Sequence, residues 1–193
     1  MPETPTAVDV ARAIADVMER RRVPYAIGGA LALGFYAPPR ATVDVDVNLF
    51  VPPAEGFEAT TAALHEAGFV PDGDWPSLRS RALTEGQFRG SISGIRVDVF
   101  VPSIPYYAEL HDRRRQVILL ERSIWILASE DLAVLKLMFF RRKDLADVEA
   151  IFRDQGSSID RDFIRRKLLD LVGKGNERLA ALDEIEKDVD TRP

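Results

Sequence analysis

The sequence predicts an α/β fold: a short mixed β-sheet flanked by helices, followed by a helical C-terminal subdomain. Three observations carry this. Apolar and polar residues alternate with period 2 in "TVDVDVNLFV" (42–51) and "SISGIRVDVFV" (91–101), the signature of strands with two unlike faces. Helix-spaced apolar residues surround these stretches, as in "AVDVARAIADVMERR" (7–21). After Ser129 the strand patterns stop and only helical ones follow. That change near residue 128 divides the chain into a core, 1–128, and a helical subdomain, 129–193.

Each element follows in order. "MPETPTAVD" is expected to be a frayed end, and 7–21 a helix. "VPYAIG" reads as a short buried strand that Gly28 and Gly29 end, with "GALALGFY" a short helix stopped by "PPR" (38–40). The alternating run 42–51 is a strand, and "AEGFEATTAALHEAG" (54–68) an amphipathic helix capped by Gly68. "PDGDWPS" is expected as loop, and "LRSRAL" and "QFRGSI" as strands. Ser93-Gly94 makes 87–101 a hairpin. "SIPYYAELHDR" is a short helix, and "QVILLE" and "SIWIL" are strands. Four helices complete the chain, at 130–141, 144–154, 160–172 and 175–189, with Ser129 the expected N-cap ahead of Glu130 and Asp131.

Composition narrows the chemistry. The 193 residues are 46% apolar and 30% charged, ordinary for a globular protein. No apolar run approaches the roughly 18 residues of a membrane span, and no leader pattern opens the sequence, so a cytoplasmic, membrane-free protein is expected. The absence of cysteine removes disulfides, thiol nucleophiles and thiolate-bound zinc. Two histidines without ligand spacing make a Ser-His-Asp hydrolase a poor fit. Carboxylates and basic residues must carry any reaction. The net charge of −5 speaks against tight nonspecific nucleic-acid binding, while basic clusters at 20–22, 113–115 and 141–143 leave room for phosphate contacts or are solvated surfaces.

Within 42–51, Asp44, Asp46 and Asn48 alternate with valines and so share one strand face. Residues two apart on a strand are about 7 Å apart at Cα. Two carboxylates so placed repel each other unless cations lie between them, and a pair of divalent cations about 3.5–4 Å apart is a standard device of phosphoryl transfer. Asp98 lies between Val97 and Val99 in a second strand. It either completes a triad of acids, if the two strands are neighbours, or faces water from an edge strand. Gly28-Gly29 stands at a strand-to-helix turn, where the backbone can approach a phosphate closely.

Taken together, "GGALAL", "RATVDVDV", "VDVF" and, further on, "SEDLAVLKLMFFRRKDLADVEAIF" resemble the minimal nucleotidyltransferases of the DNA polymerase β-like superfamily, closest to the AbiEii-type toxin branch. The resemblance covers roughly 23–152. It implies the nucleotidyltransferase fold, with Asp44 and Asp46 binding two Mg²⁺ ions (Mn²⁺ as the alternative). It further implies that Asp98 binds the catalytic metal and acts as general base on an acceptor hydroxyl. Gly28 and Gly29 would cradle the nucleotide triphosphate, Lys136 would reach it, and Arg40 would orient the loop or meet phosphate. Arg141 and Lys143 would line the cleft with Lys136, oriented by Asp144 and Asp147; surface ion pairs are the plainer account of that cluster. The implied reaction transfers a nucleotide from an NTP to an RNA end, a protein or a small molecule, releasing pyrophosphate. Many members carry Gly-Ser at the turn; here Ala30 follows Gly28-Gly29, so backbone donors remain and a hydroxyl is lost. The rival readings are a catalytically weak nucleotide-binding module acting through a partner such as an antitoxin, and a structural domain with solvated acids.

Overall fold

The computed structural model describes residues 5–191. The chain forms two compact units: Met1–Leu31 with Ala41–Leu127, and Ala32–Arg40 with Ala128–Pro193. The first contains a seven-stranded mixed sheet: β1 (Tyr25–Ile27), β2 (Asp44–Leu49), β3 (Val70–Pro71), β4 (Gln87–Ile92), β5 (Ile95–Phe100), β6 (Arg115–Leu119) and β7 (Arg122–Ile126), in the order β3-β4-β5-β2-β1-β7-β6. β2 pairs parallel with β5 and antiparallel with β1; β1 runs parallel to β7. β5 therefore has neighbours on both sides, and the edge-strand reading of Asp98 falls.

Alternation does in β2 and β5 what the sequence implied. Val45, Val47, Val97 and Val99 are fully buried, while Asp44, Asp46, Arg96 and Asp98 occupy the other face. Each buried valine contributes about 1.5–3 kcal/mol relative to exposure. Helix α1 (Ala7–Arg21) packs against β1, β2 and β7 through an apolar stripe that includes Val10, Ile14 and Met18. Thr6 and Asp9 close a reciprocal capping box at its start. The expected frayed end therefore fails over Thr6–Asp9, whereas residues 1–4 lie outside the described residues. Arg22 ends the helix in the left-handed region, at φ 55°.

The single-turn helix α2 (Gly29–Leu33) follows β1, and α3 (Pro53–Glu66) follows β2. Gly68, at φ 87°, turns the chain out of α3, its N–H donating to His65 O at 2.9 Å. The largest departure from expectation is "LRSRAL", which is helical: it lies in α4 (Trp75–Glu85), which also takes up the end of the expected loop. The Asp74 carboxylate accepts from Ser77 N at 2.7 Å, Pro76 lies in the first turn, Leu78 and Ala82 bury one face, and Gly86 closes the end at φ 69°. These are local helix signals, and they override the strand reading. The β4–β5 hairpin is as expected, with Ser93 and Gly94 both at positive φ (51° and 81°), as a two-residue turn requires. After α5 (Tyr106–Arg113), Leu119 pairs with Arg122, so Leu120 and Glu121 form a turn and "QVILLE" is shorter as a strand than its pattern suggests.

In the second unit, α6 (Ser129–Phe139), α7 (Arg142–Gln155), α8 (Arg161–Val172) and α9 (Glu177–Thr191) bury Leu132, Leu137, Ile151, Phe152, Leu168 and Leu182. Ala128, not Ser129, is the N-cap of α6; Ser129 is already helical and its hydroxyl donates to Glu130 Oε2 at 3.3 Å. Among the described residues, no helix is long and apolar enough to cross a membrane.

Candidate active site

The acids are assembled by strand register. The parallel β2–β5 pairing sets Asp44 opposite Arg96 and Asp46 opposite Asp98. The antiparallel β4–β5 pairing sets Arg89 opposite Asp98. Directly opposed residues point to the same face, so one sheet face carries Asp44, Asp46, Asp98, Arg89 and Arg96. The expected triad of carboxylates thus shares one surface.

Two arginines neutralise it. Arg96 Nη2 lies 2.6 Å from Asp44 Oδ2 and 3.2 Å from Asp98 Oδ2, bridging the two acids. Arg89 Nε donates to Asp98 Oδ1. That hydrogen bond and the attraction behind it raise the guanidinium pKa of Arg89 above its ordinary value. Thr42 Oγ1 donates to Asp44 Oδ1, fixing its rotamer from the preceding loop. Sequence reasoning missed both arginines. The available signal was Arg96 two residues before Asp98 on an alternating strand, but Arg89 could be found only through the hairpin register.

The glycine turn lies directly on this face. Gly28 N donates to Asp46 O at 2.8 Å. Gly29 sits at φ 55°, and a Cβ there would come within 1.7 Å of Asp46 Oδ2. A Cβ on Gly28 would meet Asn48 Nδ2 at 2.8 Å. Both glycines are needed because β2 fills the space a side chain would use. Asn48, next to the end of β2, is buried and its Oδ1 accepts from Tyr107 OH at 3.5 Å. Burial pushes the Tyr107 phenol above its ordinary range, keeping it protonated.

The other predicted residues belong to the second unit. Lys136 is buried on α6, and its Nζ lies 2.6 Å from Asp147 Oδ2. Arg40 takes the same carboxylate with two hydrogen bonds, of 3.1 and 3.0 Å. Burial works to raise the Asp147 pKa, but these bonds outweigh it and hold the carboxyl below its ordinary range. Arg141 grips buried Asp144 through Nε, at 2.6 Å, and stacks over Phe139. Lys143 is exposed. Asp144 and Asp147 are buried, so the surface-ion-pair account does not describe this cluster.

A divalent cation such as Mg²⁺ takes hard oxygen donors, and three carboxylates on one face are that donor type. Among the described residues no three acids converge as a ready cage. The donor chemistry fits the cation, and in the present arrangement guanidinium groups neutralise Asp44 and Asp98. A separate cavity of about 1130 Å³ between α3 and α4, lined by Phe57, Ala62, His65, Trp75, Arg79 and Leu83 among others, includes none of the predicted residues.

No family model matches the chain, and no curated protein does. Solved structures do. The antibiotic-resistance factor ANT(2'')-Ia, in solution, superposes with a TM-score of 0.61 at 13% identity, over 94% of this chain and 97% of its own. An antigenic nucleotidyltransferase-like protein from Paracoccidioides brasiliensis gives 0.55 at 18%, over 92% of each chain. The lincomycin-bound lincosamide antibiotic adenylyltransferase LnuA gives 0.51 at 13%, over 76% of this chain and 96% of its own. Sheet order, the acid face and these likenesses agree: the chain has the nucleotidyltransferase fold.

Proposed function

We propose that this protein is a metal-dependent nucleotidyltransferase that moves an NMP from an NTP to an acceptor hydroxyl and releases pyrophosphate. The observation that carries the reading is the register that sets Asp46 opposite Asp98, with the Gly29 backbone seated on the Asp46 carboxylate. Three acids and a side-chain-free turn on one face are the parts this reaction needs. Asp44, Asp46 and Asp98 are the residues that would hold Mg²⁺ or Mn²⁺. When bound, the cations supply charge stabilisation for the phosphoryl oxygens. Asp98 accepts the proton of the acceptor hydroxyl, a role open to a carboxylate within hydrogen-bond reach. Gly28 and Gly29 would meet the triphosphate through their backbone, a role that rests on the family resemblance. The cations of the second unit (Lys136, Arg40, Arg141 and Lys143) enter as triphosphate contacts on the family resemblance alone, as does the AbiEii branch; a boundary at 128/129 and a place in the cytoplasm rest on the sequence pattern.

Among acceptors, a small molecule is favoured: similar folds are described in complex with adenylyl-2''-tobramycin and with lincomycin. The test is label transfer from each α-labelled NTP, with Mg²⁺, to total RNA, to the protein itself and to hydroxylated small molecules. Label on one acceptor in wild type, absent in Asp44→Ala/Asp46→Ala, is the expected result; label equal in both would overturn the assignment. A second reading, a nucleotide-binding module without turnover that acts through a protein partner such as an antitoxin, is favoured by one observation. Arg89 and Arg96 already neutralise Asp44 and Asp98. Under that reading NTP binds and no label moves.

A further inference from the structure

We infer that Arg96, assisted by Arg89, is a positioning residue that holds the acid face in place of the divalent cation and gives way to it. The inference rests on the proposed metal-dependent function. Its warrant is geometric. Asp44, Asp46 and Asp98 lie on adjacent strands with Asp46 directly opposite Asp98, so their charges would repel without a counter-ion. Arg96 Nη2 reaches both Asp44 and Asp98, at 2.6 and 3.2 Å. Arg89 engages Asp98 from the neighbouring strand.

Burial separates the two sides of each pair. The Asp98 and Asp44 side chains are only 12% and 20% exposed, whereas those of Arg89 and Arg96 are 45% and 48% exposed. The acids are therefore held by the sheet and the arginines are free to withdraw into water. An arginine on a long, half-solvated side chain loses little by leaving a carboxylate. A divalent cation brings twice the charge and takes several oxygens at once. The buried Lys136–Asp147 pair has no such exit, since both partners are nearly enclosed, at 5% and 7% exposure. The arginines offset the repulsion among the acids before the cation arrives, and they compete with it when it does.

Competition predicts that removing an arginine tightens cation binding. The experiment measures Mn²⁺ binding, from the electron paramagnetic resonance of free Mn²⁺, to the full chain without nucleotide. Wild type is compared with Arg96→Gln, Arg89→Gln and Arg96→Lys. The expected result is at least threefold tighter binding in Arg96→Gln, a smaller gain in Arg89→Gln, and near wild-type binding in Arg96→Lys, which keeps the charge. The thermal shift on adding Mn²⁺ should rise in the same order. Mn²⁺ bound equally by wild type and both Gln variants, or more weakly by the variants, overturns the inference and leaves the metal-dependent function standing. Mn²⁺ bound by none of the four proteins overturns the inference, and the Mg²⁺-dependent label transfer decides the function separately. Circular dichroism establishes that each variant is folded, and Arg89→Gln carries the test should Arg96→Gln fail to fold.

Discussion

The two units each gather carboxylates and cations, but they solve the electrostatic problem in opposite ways. On the sheet of the first, three acids sit on a rigid face and their arginine partners are about half exposed. In the second, Asp147 lies between Lys136 and Arg40 with both the acid and the lysine buried. Desolvated pairs cannot exchange partners cheaply, because separating them strands a charge in a low-dielectric interior. Solvated guanidinium groups can, because water takes over their hydrogen bonds. The first cluster is thus built to change partners and the second to stay as it is. The same residue types form a half-solvated cluster in one place and a desolvated one in the other.

The contrast can be broken most sharply through activity. Asp44→Ala/Asp46→Ala should lower labelled-nucleotide transfer by about 10²–10³-fold or more, the scale of losing a preorganised electrostatic stabiliser, while the urea midpoint changes little or rises. A large loss of stability would mean that the acid face is structural after all. The second cluster should behave in reverse. Asp147→Ala leaves Lys136 buried without this partner and should cost about 3–5 kcal/mol in chemical denaturation. Arg40→Ala should cost less, because Arg40 is 39% exposed and Lys136 still holds the carboxylate.

Gly29→Ala tests the turn. Its left-handed backbone alone should cost about 1–2 kcal/mol, and the added Cβ must displace the Asp46 carboxylate, so Mn²⁺ affinity should fall with stability. Calorimetry and Mn²⁺ titration on one sample decide this: a stable protein with unchanged affinity would refute the close approach.

The smallest effect is in acid. The Asp147 pKa is held below its ordinary 3.8 in the fold. The stability it contributes is therefore present above the unfolded value and lost as pH falls through the folded one, a window below about pH 4. Denaturation midpoints between pH 6 and 2.5 should fall more steeply in wild type than in Asp147→Asn. Parallel slopes would mean that the carboxyl is not held low.

Much of this was legible in the chain. The period-2 pattern placed Asp44, Asp46 and Asn48 on one face and the valines on the other. The Ser93-Gly94 turn announced its hairpin, and the apolar stripe of 7–21 its helix. The misreadings have local causes. "LRSRAL" lacks a clear helical period, and Asp74 with Pro76, which start α4, read equally as loop residues. Ser129 has the chemistry of an N-cap, yet the helix already includes it.

By itself, the sequence determined the strands, their two faces and the presence of three acids at strand positions, because alternation and local turn chemistry act over a few residues. Only the tertiary structure decided that β5 lies beside β2, that Asp46 and Asp98 stand opposite each other, and that Arg89 and Arg96 neutralise the face. It also decided that Lys136 and Asp147 are buried together. Strand order and register are set by which apolar faces pack across the whole unit, and a charge's partner is set by distance in space. Neither is written in residue spacing along the chain.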